Sequence, residues 1–173
     1  MDKITLKNRL SQNQNSFVEL VFGLTNDQFL ISKNDKWTPG QHLEHIYLAV
    51  KPIRQILSLP KFLLKLIFGQ ANRESKNYTE LVKIYLLKLE NGGRASGRFI
   101  PKNVTVEKGQ KLKFNLTNEM KWLFSKLDKF TENELDKYIL PHPLLGKLTL
   151  REMLFFTIYH IEHHEKLIKR NLK

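Results

Sequence analysis

The sequence predicts an all-α fold, a four-helix bundle with short extra helices in the connections. Three observations carry this expectation. Apolar residues recur with a period near 3.6 along four long stretches. Helix-start signatures recur, with Thr25/Gln28, Thr38/Gln41 and Thr149/Glu152 in capping-box spacing and Thr131 as a further cap. At 173 residues, 41% hydrophobic and 27% charged, the chain suits one domain over residues 1–173 with a sizeable core. No sheet is expected.

The elements follow in order. A first amphipathic helix is expected from about Thr5 to Leu24, and the Thr25 box opens a short one. Thr38-Pro39-Gly40-Gln41 is the stronger start, with Pro at the first helical position. Pro52 lies inside this second long helix and predicts a kink near its third turn. A short apolar helix, Phe62 to Phe68, follows Pro60, and Asn77 or Thr79 opens a third helix to about Leu89. Asn91-Gly92-Gly93-Arg94 stops it and begins a loop to about Lys108, either a surface loop or a lid. The next long helix runs from about Lys111 to Phe130, with Leu112, Leu116, Trp122/Leu123 and Leu127 near its core face. Pro141-His142-Pro143 reads as a rigid loop before the last helix, which starts at Thr149.

Composition narrows the function. Cysteine is absent, which rules out a disulfide framework, thiolate ligands and a cysteine nucleophile, and fits a reducing cytoplasm. Neither a signal peptide nor an apolar run of membrane-spanning length is apparent. The net charge is +12, yet the lysines are scattered and no recognition motif stands out. That charge fits solvated helix faces or an anionic small molecule better than sequence-specific nucleic acid. The glycines after Asn91 are not a phosphate loop, because no strand precedes them and no Gly-Lys-Ser/Thr follows.

Six histidines carry the chemistry. On a helical wheel, His160 and His164 fall within about 20° of Met153, inside the apolar arc of the last helix, and His163 lies beside Glu152 and Arg170 at the edge of the charged face. On the second helix, His45 shares a side with Ala49, Ile53 and Ile56, and His42 leans the same way. An i, i+4 histidine pair can share one metal ion. A lone inward histidine is more commonly a core residue bonded to a carbonyl, but three on two helices that can face each other make a metal site an even alternative. No general base is evident: Glu44 turns away from His45, and Glu162 from His160. Gln41 and His42 could contact the ligands or substrate, or serve as a cap and a first-turn residue. His142 could line the mouth of the site, or be a solvated loop residue.

Two stretches resemble the DinB-like (DinB/YfiT) superfamily of bacterial helical bundles: Trp37-Thr38-Pro39-Gly40-Gln41-His42-Leu43-Glu44-His45-Ile46, and Leu148-Thr149-Leu150-Arg151-Glu152-Met153 through His160-Ile161-Glu162-His163-His164. The middle, from Phe68-Gly69-Gln70 to Phe99-Ile100-Pro101, is similar to members from Bacteroidetes. The resemblance implies a divalent metal held by one histidine of the second helix and two of the last, which are His45, His160 and His164 here. It also implies an activity among those of the family: thiol-dependent S-transfer with low-molecular-weight thiols, isomerisation, or metal-dependent hydrolysis.

The expectation is therefore a metal-dependent cytoplasmic enzyme, a thiol-dependent S-transferase or hydrolase acting on a small molecule. A low-molecular-weight thiol is one candidate partner, and a homodimer is compatible. The alternative is a non-catalytic, stress-related binding protein with a vestigial or ligand-binding metal site. Imidazole ligands suit Zn, Ni, Fe or Mn without choosing among them.

Overall fold

A computed structural model describes residues 1–173. Eight helices dominate it: α1 (Lys3–Phe22), α2 (Asn26–Leu30), α3 (Pro39–Leu57), α4 (Lys61–Phe68), α5 (Tyr78–Glu90), α6 (Val106–Leu127), α7 (Glu132–Lys137) and α8 (Leu150–Leu172). The long helices α1, α3, α6 and α8 bury one continuous core, from Leu6 and Phe17 through Leu43 and Leu116 to Ile158 and Ile161. Helix α3 packs most extensively on α6, α1 on α8, and α5 along α8. No helix is long and apolar enough to cross a membrane.

The start signals act as their chemistry predicts. Thr25, Thr38, Thr131 and Thr149 each close a reciprocal capping box with the residue three positions on. Asn77, rather than Thr79, does the same for α5. Helix α6 begins earlier than its apolar pattern suggests, because Thr105 caps it through Lys108 N. Its first turn also holds Gly109, a weak helix former that masks the start. There is a packing reason for that glycine. A Cβ at Gly109 would sit 2.6 Å from the Phe29 ring, and one at Gly40 would sit 2.7 Å from the same ring. The two glycines let α3 and α6 close on Phe29.

Three expectations need correction. The chain does contain a small sheet: β1 (Ile139–His142) and β2 (Gly146–Thr149) pair antiparallel, so Pro141-His142-Pro143 is strand and turn rather than loop. Leu140 and Leu148 face each other across the hairpin and are both buried, and Pro141 is tolerated because a two-stranded ribbon is all edge. Gly146 takes φ 73, the left-handed conformation that closes the turn. Trp122 is 52% exposed and lies against the Arg54 guanidinium, so Leu123 alone takes the core position. Glu152, placed by its wheel angle beside the charged face, is fully buried. As for Pro52, α3 stays helical through it.

Candidate metal centre

Helices α3 and α8 bring the predicted histidines together. The Thr38–Gln41 box fixes the first turn of α3, which sets His42 and His45 one turn apart on its inner face. On α8, His160 and His164 follow at i, i+4. All four are buried. The Nε2 atoms of His45 and His164 lie 3.1 Å and 3.0 Å from His160 Nε2. One nitrogen from each of His45, His160 and His164 falls within 4.8 Å of the others, a group that could hold a metal ion.

The surrounding hydrogen bonds set the tautomers. A carbonyl only accepts, so His45 Nδ1 carries the proton it donates to Phe99 O at 2.7 Å. That leaves His45 Nε2 a lone pair facing the centre. His164 Nδ1 meets His42 Nδ1 at 2.7 Å. For His164 to present a lone pair through Nε2, its Nδ1 must donate and His42 Nδ1 must accept. The His42 proton then sits on Nε2, a buried atom without a partner.

Aromatic rings wall the cluster. The Trp37 indole stacks on His164 at 6.0 Å and approaches His45 at 4.9 Å. Phe156 stacks on His160 at 4.7 Å. Burial in these walls disfavours charge, so every imidazole here is held neutral. His160 and His164 are pushed well below the usual histidine range and His42 to about 3, with neighbouring histidines adding repulsion. Burial also lowers His45, opposed by its bond to Phe99.

This donor set fits a divalent cation. Neutral imidazoles are the form that ligates. Two metal–nitrogen bonds of about 2.1 Å, at angles between square and tetrahedral, separate the nitrogens by about 3.0–3.4 Å. Without a cation, one proton at His160 Nε2 serves one neighbour at a time, and at least one facing lone pair goes unsatisfied.

A scan of family models matches residues 9–168 to the DinB superfamily. The chain belongs to the DinB superfamily. No curated protein and no solved structure gives a significant match. Within this DinB fold the centre forms the floor of a cavity of about 860 Å³, which His42, His142, His163, Tyr85 and Phe99 also line.

Other candidate residues resolve differently. Gln41 is consumed by its cap. His142 does reach the cavity, but its Nδ1 accepts from Leu144 N and Leu145 N, and burial pushes it to about 4. His163 is half-buried against Tyr85 and outside the three-nitrogen group. Glu44 and Glu162 do turn away from the centre. Glu44 accepts from Lys102 N and pairs with Lys108, while Glu162 accepts from Asn13. Neither glutamate therefore faces the histidines, and the three-nitrogen group includes no carboxylate. The roles of the Phe99 carbonyl and the Trp37 wall were not foreseen, because a main-chain acceptor and a loop indole leave no periodic signal.

Proposed function

We propose that this DinB protein is a metal-dependent enzyme acting on a small molecule, with transfer of a low-molecular-weight thiol to an electrophile as the favoured reaction. The observation that carries this reading is the convergence of three buried imidazole nitrogens, with no carboxylate in the group, on an open cavity whose single acidic lining residue is Asp35. His45, His160 and His164 would hold the ion, with Zn, Ni, Fe and Mn all compatible with the ligands. When bound, such an ion supplies acidity to a coordinated thiol, whose free pKa is about 8.5, or to water, at about 15.7, and the thiol needs much the smaller shift.

The protein's own residues do the rest. Phe99 O holds His45 in the tautomer that exposes Nε2, and His42 Nδ1 does the same for His164. Such outer contacts orient ligands and raise their basicity. Trp37, Phe156 and Tyr85 exclude water from one side of the centre and offer an apolar surface to an electrophile. Glu44 and Glu162 are turned away and the three-nitrogen group contains no carboxylate, so neither glutamate is placed to take a proton from water there. That favours thiol transfer over hydrolysis.

The test compares conjugation of a low-molecular-weight thiol to an electrophile with ester and amide hydrolysis, using metal-loaded protein, chelated protein and His164→Ala. Conjugation lost on chelation and in His164→Ala supports the transferase. Hydrolysis alone, with the same dependence, replaces it with a hydrolase. Activity indifferent to chelation refutes the metal mechanism, and silence throughout leaves a binding protein.

A further inference from the structure

The chain has seven arginines, and they divide cleanly. Arg9, Arg54, Arg73 and Arg151 each pair with a carboxylate: Glu162, Glu119, Glu152 and, for Arg151, both Glu132 and Asp136. None of these four lines the cavity above the histidines. The other three, Arg94, Arg98 and Arg170, all line it, and none has a carboxylate partner. With Lys36 they face a single acidic group, Asp35, on the cavity lining.

Two of the three guanidiniums are held by contacts within the chain. Arg94 Nη1 donates to Leu89 O and Gly93 O at the end of α5, which leaves its Nη2 and Nε edge without a partner. Arg98 stacks on the Phe99 ring at 5.1 Å, and the carbonyl of that same Phe99 orients His45. One residue thus ties a cavity arginine to the candidate metal centre. Arg170 lies on α8, two turns beyond His163 on the same face. Guanidinium forks match carboxylate and phosphoryl oxygens bidentately, and a cavity of one charge sign concentrates the opposite one. The loop carrying Arg94 and Arg98 is itself anchored, since Glu44 on α3 accepts from Lys102 N at 2.6 Å.

We infer that the cavity over His45, His160 and His164 selects a polyanionic small molecule, one bearing two or more carboxylate or phosphoryl groups, with Arg94, Arg98 and Arg170 as its anion contacts. This rests on reading that cavity as the substrate site. The unpaired arginines sit around a concave pocket instead of an extended face, which suits a compact ligand rather than a nucleic-acid strand.

The experiment is calorimetric titration of the metal-free full chain, at physiological salt, with propane-1,2,3-tricarboxylate, with its uncharged trimethyl ester, with pyrophosphate, and with a single-stranded oligonucleotide. Metal-free protein keeps chelation by the anions out of the readout. Tricarboxylate or pyrophosphate should bind and the ester should not, and whichever anion binds more tightly identifies the acid group. Arg94→Gln/Arg98→Gln should weaken binding about tenfold or more, because charge-assisted contacts are lost. Lys111→Gln/Lys121→Gln, on exposed faces of α6, removes the same net charge and should leave binding within about twofold. Equal weakening by both double variants would reduce the effect to net charge and overturn the inference. So would oligonucleotide binding that needs the arginines while neither small anion binds. The outcomes separate from those of the enzyme reading. Arginine-dependent anion binding in a protein that never takes up metal would refute the enzyme and keep the anion site, whereas a protein that takes up metal but, in its metal-free form, is indifferent to both anions would refute only the anion site.

Discussion

Glu152, in the first turn of α8, and His160 with His164, further along it, are all almost fully buried, but their surroundings differ. The Glu152 carboxylate accepts from Thr149 N, Lys76 N and both terminal nitrogens of Arg73, at 2.6–2.9 Å. Every strong acceptor direction is met by a donor of the chain itself. The histidines instead turn ring nitrogens toward one another, with fewer protons than lone pairs to fill. Burying polar groups is tolerable only when they are satisfied. The first cluster is complete and serves the fold, holding the 73–77 segment against α8. The second is complete only with something added, and it opens on a cavity. Burial alone does not separate structural from functional polar groups; satisfaction by the chain does.

Acid should expose this contrast most strongly. The buried histidines stay neutral when folded, while the unfolded chain takes up protons below about pH 6.5, so stability falls as pH drops through that value. Each such histidine contributes up to about 1.4 kcal/mol per pH unit. Glu152 behaves oppositely in range. Its folded carboxyl lies below the usual value of 4.5, held there by Arg73 and by main-chain donors against the opposing effect of burial. Its stabilisation is complete above that value and is lost only as pH falls through the lowered one. Urea unfolding of metal-free protein should show a clearly lower midpoint at pH 5.5 than at pH 7.5. A flat midpoint over that interval would show that the histidines are not held neutral.

Next in size is Glu152→Ala. It strips a buried acceptor from its donors and should cost about 2–4 kcal/mol, below the range for a fully buried pair because Arg73 is partly exposed. Metal stoichiometry should not change. A loss of metal equal to the loss of stability would mean that the two clusters are one cooperative unit. His42→Ala acts at the other cluster. It removes the acceptor for His164 Nδ1 and should lower metal affinity by about 10–100-fold, while one equivalent still binds at saturation. Unchanged affinity in a chelator competition would remove His42 from the orienting role. The smallest effect expected is Gly109→Ala, about 1 kcal/mol net, because overpacking on Phe29 is partly offset by the better helix propensity of alanine, with metal affinity retained.

How much of this could be read in advance follows from the range of each signal. Helix starts are local, three residues long, and four proposed capping threonines do cap. The inward turn of His45, His160 and His164 is periodic, so the wheel recovers it without a partner in view. Glu152 escaped because its donor Arg73 lies 79 residues away, and a carboxylate beside charged wheel positions looks solvated. The inward lean of His42 is periodic and legible, but its bond to His164 spans 122 residues and is not. The hairpin escaped because four-residue strands interrupted by Pro141 carry no alternation long enough to register. That three unpartnered arginines share one cavity is visible only once every carboxylate has been assigned.

The central claim is that the histidine cluster is completed by a metal ion. Elemental analysis of protein purified without a histidine tag, after dialysis against a trace divalent mixture, tests it most directly. The account predicts about one divalent ion per chain in the wild type and in His163→Ala, and none in His45→Ala or His160→Ala. Equal loss of metal in His163→Ala, or full occupancy without His160, would contradict it.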